Sequence, residues 1–156
     1  MLYESLVMKK LNLPTFQFRL KEEKELLYIY DPSRRKYVRL TPEEWVRQNF
    51  TAFLIEYRQF PRGRIAQEIS IKFNGMSRRI DTVIYDQHGS PIVLVEYKSP
   101  DVKITQDTFN QIVRYNMVMQ VPYLIVSNGL NHYCCKMDYA QNKASYLREI
   151  PHYSEL

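Results

Sequence analysis

Two stretches of this sequence place ionisable side chains where a buried strand would carry aliphatics. Asp81 is the only carboxylate of Arg79-Ile80-Asp81-Thr82-Val83-Ile84-Tyr85, and the aliphatic run Ile92-Val93-Leu94-Val95 leads directly into Glu96-Tyr97-Lys98. A charge inside a buried strand is costly unless something pairs with it. The two-residue period of a strand puts Glu96 and Lys98 on one face and Tyr97 on the other. A hairpin centred between His88 and Gly89 pairs residues whose numbers add to 177, which sets Asp81 opposite Glu96. Carboxylates facing each other across a ladder, roughly 4.5 to 5.5 Å apart at Cβ, repel unless a cation lies between them. Oxygen ligands of this kind suit Mg²⁺ (or Mn²⁺), which keeps several waters and binds substrate phosphate. Such an ion polarises a phosphodiester and lowers the pKa of a bound water, while Lys98 would position that water or stabilise the transition state. The competing expectation is a structural ion pair of Asp81 with Arg78, Arg79 or Lys98.

The elements that must position these residues are legible on either side of them. Phe16 to Leu20 has strand period, Leu26 to Tyr30 is its expected hairpin partner across the charged link 21–25, and Asp31-Pro32-Ser33 is a turn. Thr41-Pro42-Glu43-Glu44 starts a helix, with Thr41 as N-cap, Pro42 in the first turn and Glu44 at the capping-box position. Val46, Phe50, Phe53, Leu54 and Tyr57 supply its apolar stripe, and it ends near Pro61. Ile65 to Phe73 alternates apolar and polar residues and stops at Asn74-Gly75; Arg79 to Tyr85 and Ile92 to Lys98 complete a three-strand meander. A second helix runs over Thr105 to Met119, and Val121 to Val126 with His132 to Met137 forms a last hairpin closed by Ser127-Asn128-Gly129. The tail with Pro151 has no assignment. This order predicts an α/β fold with a mixed central sheet, a helix on each face and an N-terminal β-hairpin extension: one domain over 1–156, with the extension at 1–40 and the core at 41–137.

Composition narrows the class. The 156 residues are 45% hydrophobic, enough for one core and too few for two substantial domains. A net charge of +5 favours polyanionic partners. No apolar run approaches the roughly 20 residues that span a bilayer, and the first residues lack a basic, apolar leader, so a cytoplasmic location without membrane contact is expected. Cys134 and Cys135 are neighbours that point to opposite faces of a strand, which disfavours a disulfide; with only 3 His, zinc lacks ligands. His88 at a turn tip and His132 are expected to be solvated and structural respectively. The clusters Arg34-Arg35-Lys36 and Arg62-Gly63-Arg64, and the 13 tyrosines, fit solvated surface and packing as well as contact with phosphates and bases.

Asp81, fourteen residues, then Glu96-Tyr97-Lys98 resembles the D...ExK core of the PD-(D/E)xK nuclease superfamily. Arg79-Ile80-Asp81 with Val95-Glu96-Tyr97-Lys98-Ser99-Pro100 is similar to the N-terminal nuclease domain of type I restriction enzyme R subunits, and Gln111-Ile112-Val113-Arg114-Tyr115 to the QxxxY motif of that group. Ser127-Asn128-Gly129 resembles the usual end of the next strand. The likeness covers roughly residues 40 to 135, with Ile80 where the family name has proline. It implies a restriction-endonuclease-like core, a metal-dependent endonuclease acting on DNA, and metal ligation by Asp81 and Glu96 with Lys98 in catalysis. It also implies that Gln111 and Tyr115 support the site from one helix face, and that the first helix adds an acid, for which Glu43 lies nearer the core-facing stripe than Glu44. DNA is the expected partner, and because no GxxxxGK[ST] motor motif occurs in this sequence the chain is expected to act alone, to pair with a second copy, or to borrow specificity from other restriction-system subunits. The alternative is an inactive nucleic-acid-binding module of the same fold.

Overall fold

The computed structural model describes residues 7–73 and 75–156, leaving aside the side chains of Phe73, Met76, Tyr115 and Val118. Its order is β1 (Leu20–Glu23), β2 (Leu26–Asp31), β3 (Lys36–Arg39), α1 (Pro42–Arg58), a 3₁₀ turn (Arg62–Arg64), β4 (Ile65–Phe73), β5 (Met76–Tyr85), β6 (Pro91–Tyr97), α2 (Gln106–Met119), β7 (Tyr123–Ser127), β8 (His132–Asp138), β9 (Lys143–Leu147) and a closing 3₁₀ turn (Tyr153–Glu155).

Strands β4 to β9 lie side by side in sequence order as one sheet. All neighbours are antiparallel except β6 and β7, which run parallel because α2 carries the chain back between them. β7 is buried at every residue, as a central strand covered on both faces must be. One face packs Val46, Phe50 and Leu54 of α1 against Ile84, Val93, Val95, Tyr97 and Ile125. The other packs Phe109 and Ile112 of α2 against Ile80, Val83, Leu94, Leu124 and Val126. Cys134 joins the first cluster and Cys135 the second, so the neighbouring thiols point apart and both remain free. The expected mixed sheet with a helix on each face is present.

Both helices begin where side-chain oxygens satisfy their free amides. Thr41 accepts from the Glu44 N–H and Thr105 from the Thr108 N–H. Each ends in a left-handed residue, Gln59 and Gln120.

The expected N-terminal hairpin is present, with other bounds and a third strand. β1 begins at Leu20 rather than Phe16, and most of the supposed link is itself strand. The turn contracts to Lys24 and Glu25, both at positive φ (51° and 64°), the two-residue geometry that matches strand twist. Charged residues there gave no turn signal. After the expected turn at Asp31, whose carboxylate accepts from the Ser33 and Arg34 amides, β3 adds a third strand. The inner face of this sheet, Leu27 and Ile29 with Leu40 and Val38, packs on Trp45 of α1. β9 extends the main sheet into the tail, which had no assignment. Among the described residues no helix is long and apolar enough to cross a membrane.

Candidate functional site

The β5–β6 ladder has the expected register: Thr82 faces Val95, Val83 faces Leu94 and Ile84 faces Val93, each pair adding to 177. The next pair would be Asp81 and Glu96, and there the backbone ladder opens. The Asp81 side chain replaces a backbone acceptor, its Oδ2 taking the Tyr97 N–H at 2.8 Å. That bond fixes the carboxylate at the mouth of the fork between the two strands. Burial, and then the adjacent Asp81 charge and a hydrogen bond to it, push the Glu96 carboxyl up to about 8, against the opposing pull of Arg78 and Lys98. Two carboxylates brought together at a half-buried fork repel each other, and a divalent cation between them would relieve that.

Tyr97 points away from them into the α1 face. Its buried ring lies 6.0 Å from Phe50, and its hydroxyl is hydrogen-bonded to Thr82 Oγ1 at 3.1 Å. Thr82 also donates to Gln67 Oε1 (2.5 Å), and Gln67 donates to Thr51 (3.1 Å). This satisfied polar chain pins β4, β5, β6 and α1 together behind the carboxylates. Burial holds the Tyr97 phenol at about 12, so it is a neutral strut.

Two residues that sequence reasoning missed organise the front of the site. Arg47, 4% exposed, donates Nη1 to the Asp81 carbonyl (2.8 Å) and Nη2 to Glu68 Oε1 (2.9 Å), with Nη2 3.9 Å from Asp81 Oδ1. Its Nε stands 2.6 Å from Glu44 Oε2 but outside hydrogen-bond alignment. Glu68 faces Asp81 in the β4–β5 register, is left unpaired by that ladder and has φ of 54°, a left-handed backbone within a strand. Its second oxygen takes Arg79 at 3.1 Å. The available signals were that Arg47 lies four residues past Glu43 and three before Phe50, on the buried stripe of α1, and that the β4 alternation carries a carboxylate opposite Asp81.

The first-helix acids divide their roles. Glu44 is buried and ion-paired with Arg34 and Arg47. Glu43 is exposed, yet its carboxyl is raised by desolvation and then by Asp81, and lowered by Lys98 and Arg47, which places it in the field of the site. Lys98, just beyond β6, continues the parallel ladder through its N–H to the Ser127 carbonyl (2.9 Å), and its ammonium acts on both Glu43 and Glu96. Gln111 is exposed on α2, and among the described residues no hydrogen bond or ion pair joins it to the carboxylates; the Tyr115 side chain lies outside the described residues. His88 is exposed at its turn, and half-buried His132 bonds Ser127 Oγ (2.7 Å) and the Asn12 carbonyl (2.9 Å). Among the described residues no three His, Cys, Asp or Glu side chains close a metal cage. Asp81 and Glu96 are oxygen donors, the kind of ligand a hard divalent ion takes.

Comparison with known proteins places the chain by family and fold. One solved structure, a fragment of a protein assigned as an HsdR subunit of a type I restriction enzyme from Vibrio vulnificus YJ016, superposes with a TM-score of 0.53 at 18% identity. It covers 73% of this chain, while this chain spans only 24% of that one. No curated relative matches in sequence. The family model for the type I restriction enzyme R protein N terminus matches residues 42–151, from the first residue of α1 to beyond β9 and so across every residue of the carboxylate fork, and the chain belongs to that family.

Proposed function

We propose that the chain is a metal-dependent endodeoxyribonuclease that hydrolyses DNA phosphodiester bonds at the fork between β5 and β6, in the setting of a type I restriction system. The observation that supports this reading is the pair of carboxylates at the fork, Asp81 held by the Tyr97 N–H at 2.8 Å and Glu96 on the adjacent strand, its carboxyl pushed up to about 8 by burial and then by the Asp81 charge. Asp81 and Glu96 would hold Mg²⁺ or Mn²⁺, which when bound supplies Lewis-acid polarisation of the phosphodiester and a water of lowered pKa.

The chain's own residues prepare that site. Arg47 and the Tyr97 N–H orient Asp81 from two sides. Glu96 would hold the ion as the carboxylate, its proton passing to solvent. Lys98, on the same face as Glu96, presents an ammonium to the attacking water or to charge developing on the phosphoryl oxygens. Glu43 adds a third carboxylate within electrostatic range, suited to holding a water rather than closing a cage. Partner subunits of the restriction system, or a second copy of this chain, would supply target selection.

The test is plasmid cleavage in Mg²⁺ or Mn²⁺ by wild type, Asp81→Ala and Lys98→Ala, with Mn²⁺ titration calorimetry alongside. Wild-type cleavage lost in both variants, with Mn²⁺ binding lost in Asp81→Ala, is the expected result. Cleavage surviving both substitutions would overturn the reading, and tight DNA binding with no cleavage by wild type would replace it with the binding module.

A further inference from the structure

The outer face of the small sheet takes no part in the carboxylate site, yet it collects rings and cations in rows. Facing residues of paired strands project to the same side. Lys21, Tyr28 and Arg39 therefore form one row, and Tyr30 with Tyr37 forms the next. Arg19 joins that second row, because its carbonyl accepts from the Tyr30 N–H at 2.9 Å. The Arg19 guanidinium lies 5.6 Å from the Tyr30 ring centre, and the Lys21 ammonium 5.6 Å from Tyr28 and 4.6 Å from Tyr37. Tyr30 and Tyr37 meet edge to face at 5.3 Å.

None of these side chains is needed by the core. The inner face of the same strands is carried by Leu27, Ile29 and Val38, while Leu26 lies on the outer side opposite Glu23. Tyr37, Arg19, Lys21 and Arg39 are exposed, and Tyr28 and Tyr30 half-buried. The acid on this side is Glu23, paired with Lys21 at 3.4 Å, so cations outnumber it. Arg39 of this face also lines a groove that extends to Glu43 and Glu68, beside the site. β3 is an edge strand of the sheet, and beside it lies this groove of about 620 Å³, whose lining includes Arg34, Arg39, Glu43, Glu68 and Ser99. Arg39 thus belongs both to the tyrosine face and to the groove that reaches the first-helix acids.

The geometry points to this face as a platform for single-stranded nucleic acid. Tyr28, Tyr30 and Tyr37 stack unpaired bases, Arg19, Lys21 and Arg39 take phosphates, and the strand continues along the β3 groove toward Asp81 and Glu96. Cations interleaved with ring faces are what a strand with alternating phosphates and flat bases requires, whereas an acidic protein would use the cations and leave the tyrosines idle. Tyr28 and Tyr30 stand about 7 Å apart by the rise of the strand, which leaves room for one base on each. The inference deepens the nuclease reading and rests on it for the path toward the carboxylates. It concerns residues 19–39, which precede the family match at residue 42.

The experiment is fluorescence anisotropy of the full chain with a labelled oligothymidylate in EDTA, so that no cleavage intervenes, with circular dichroism to verify folding. Tyr37→Ala and Tyr28→Ala should each weaken binding about tenfold, Tyr37→Phe should retain it, and Arg39→Ala should lower the salt slope by about 0.7. A duplex competitor should displace the oligonucleotide poorly. Folded alanine variants that bind like wild type, or a wild type that ignores the oligonucleotide, overturn the platform and leave the face to an acidic protein. The two readings fail separately: Mg²⁺-dependent cleavage with unaltered binding in the tyrosine variants removes the platform alone. Tyrosine-dependent binding with no cleavage under any metal removes the nuclease alone.

Discussion

Burial, and then the Asp81 charge, oppose ionisation of Glu96 in the metal-free protein and push its carboxyl up to about 8. Its carboxyl is raised in the fold above the ordinary 4.5, so its contribution to stability is complete below that value and disappears as pH rises through about 8. Urea unfolding of metal-free wild type and Glu96→Gln between pH 5 and 8.5 should therefore show wild type losing ground as pH rises, with a limiting slope of about 1.4 kcal/mol per pH unit. Equal pH dependence in the two proteins would refute this. Divalent ions should flatten the wild-type curve, since ligation favours the ionised form. Arg47 makes a second residue-scale claim. It serves Glu44, Glu68 and the Asp81 carbonyl from a buried position, so Arg47→Met leaves the buried Glu44 carboxylate with Arg34 alone and half-buried Glu68 without its inner partner, and should cost about 3 kcal/mol in urea unfolding. A loss below about 1 kcal/mol would mean the network relaxes into water.

At the scale of elements, α1 does two jobs with two faces. Its inner stripe anchors the sheet through Phe50, fully buried against Tyr97 and His132. Phe50→Ala should destabilise by about 3 to 5 kcal/mol and also loosen β6 at Tyr97, so calorimetry should find weaker Mn²⁺ binding even where the protein stays folded. Its first turn sets the position of Glu43 and Arg47. Thr41→Ala removes the oxygen that accepts the Glu44 N–H and should cost about 1 kcal/mol, read as a lower urea midpoint at unchanged slope. A variant as stable as wild type would show that Pro42 and the acids of the first turn suffice to start the helix.

Across the whole molecule, the N-terminal segment is strapped to the far end of the sheet. The Asn12 N–H donates to the Gly129 carbonyl at 2.8 Å, and the Asn12 carbonyl meets His132 at 2.9 Å. Gly129 has φ of +84°, and a Cβ there would lie 2.6 Å from Leu11 Cδ2 and 3.1 Å from Val46 Cγ2. Gly129→Ala combines backbone strain with overpacking and should cost about 1 to 3 kcal/mol. Amide exchange should then rise first around residues 9–13, where the strap lifts, while the central β7 amides stay protected. Uniform loss of protection would show that strap and core unfold as one unit.

Local pattern alone set much of this protein. Period two placed Asp81, Glu96 and Lys98 and gave the 177 register, because side-chain alternation and a tight hairpin leave little freedom. Capping chemistry at Thr41 and apolar spacing gave α1, and likewise Thr105 to Met119 gave α2 within a residue. Charge hid the rest of the local structure. β1, β3 and β9 are short strands with mostly exposed side chains, so they carry no hydrophobic alternation to read. Only the tertiary structure decided that Arg47 from the helix and Glu68 from β4 meet at Asp81, that Glu44 is tied to Arg34 while Glu43 stays in the field of the site, and that three tyrosines share one outer face. Those outcomes depend on contacts between distant segments, where burial and charge are settled by what packs beside each group rather than by its neighbours in the chain.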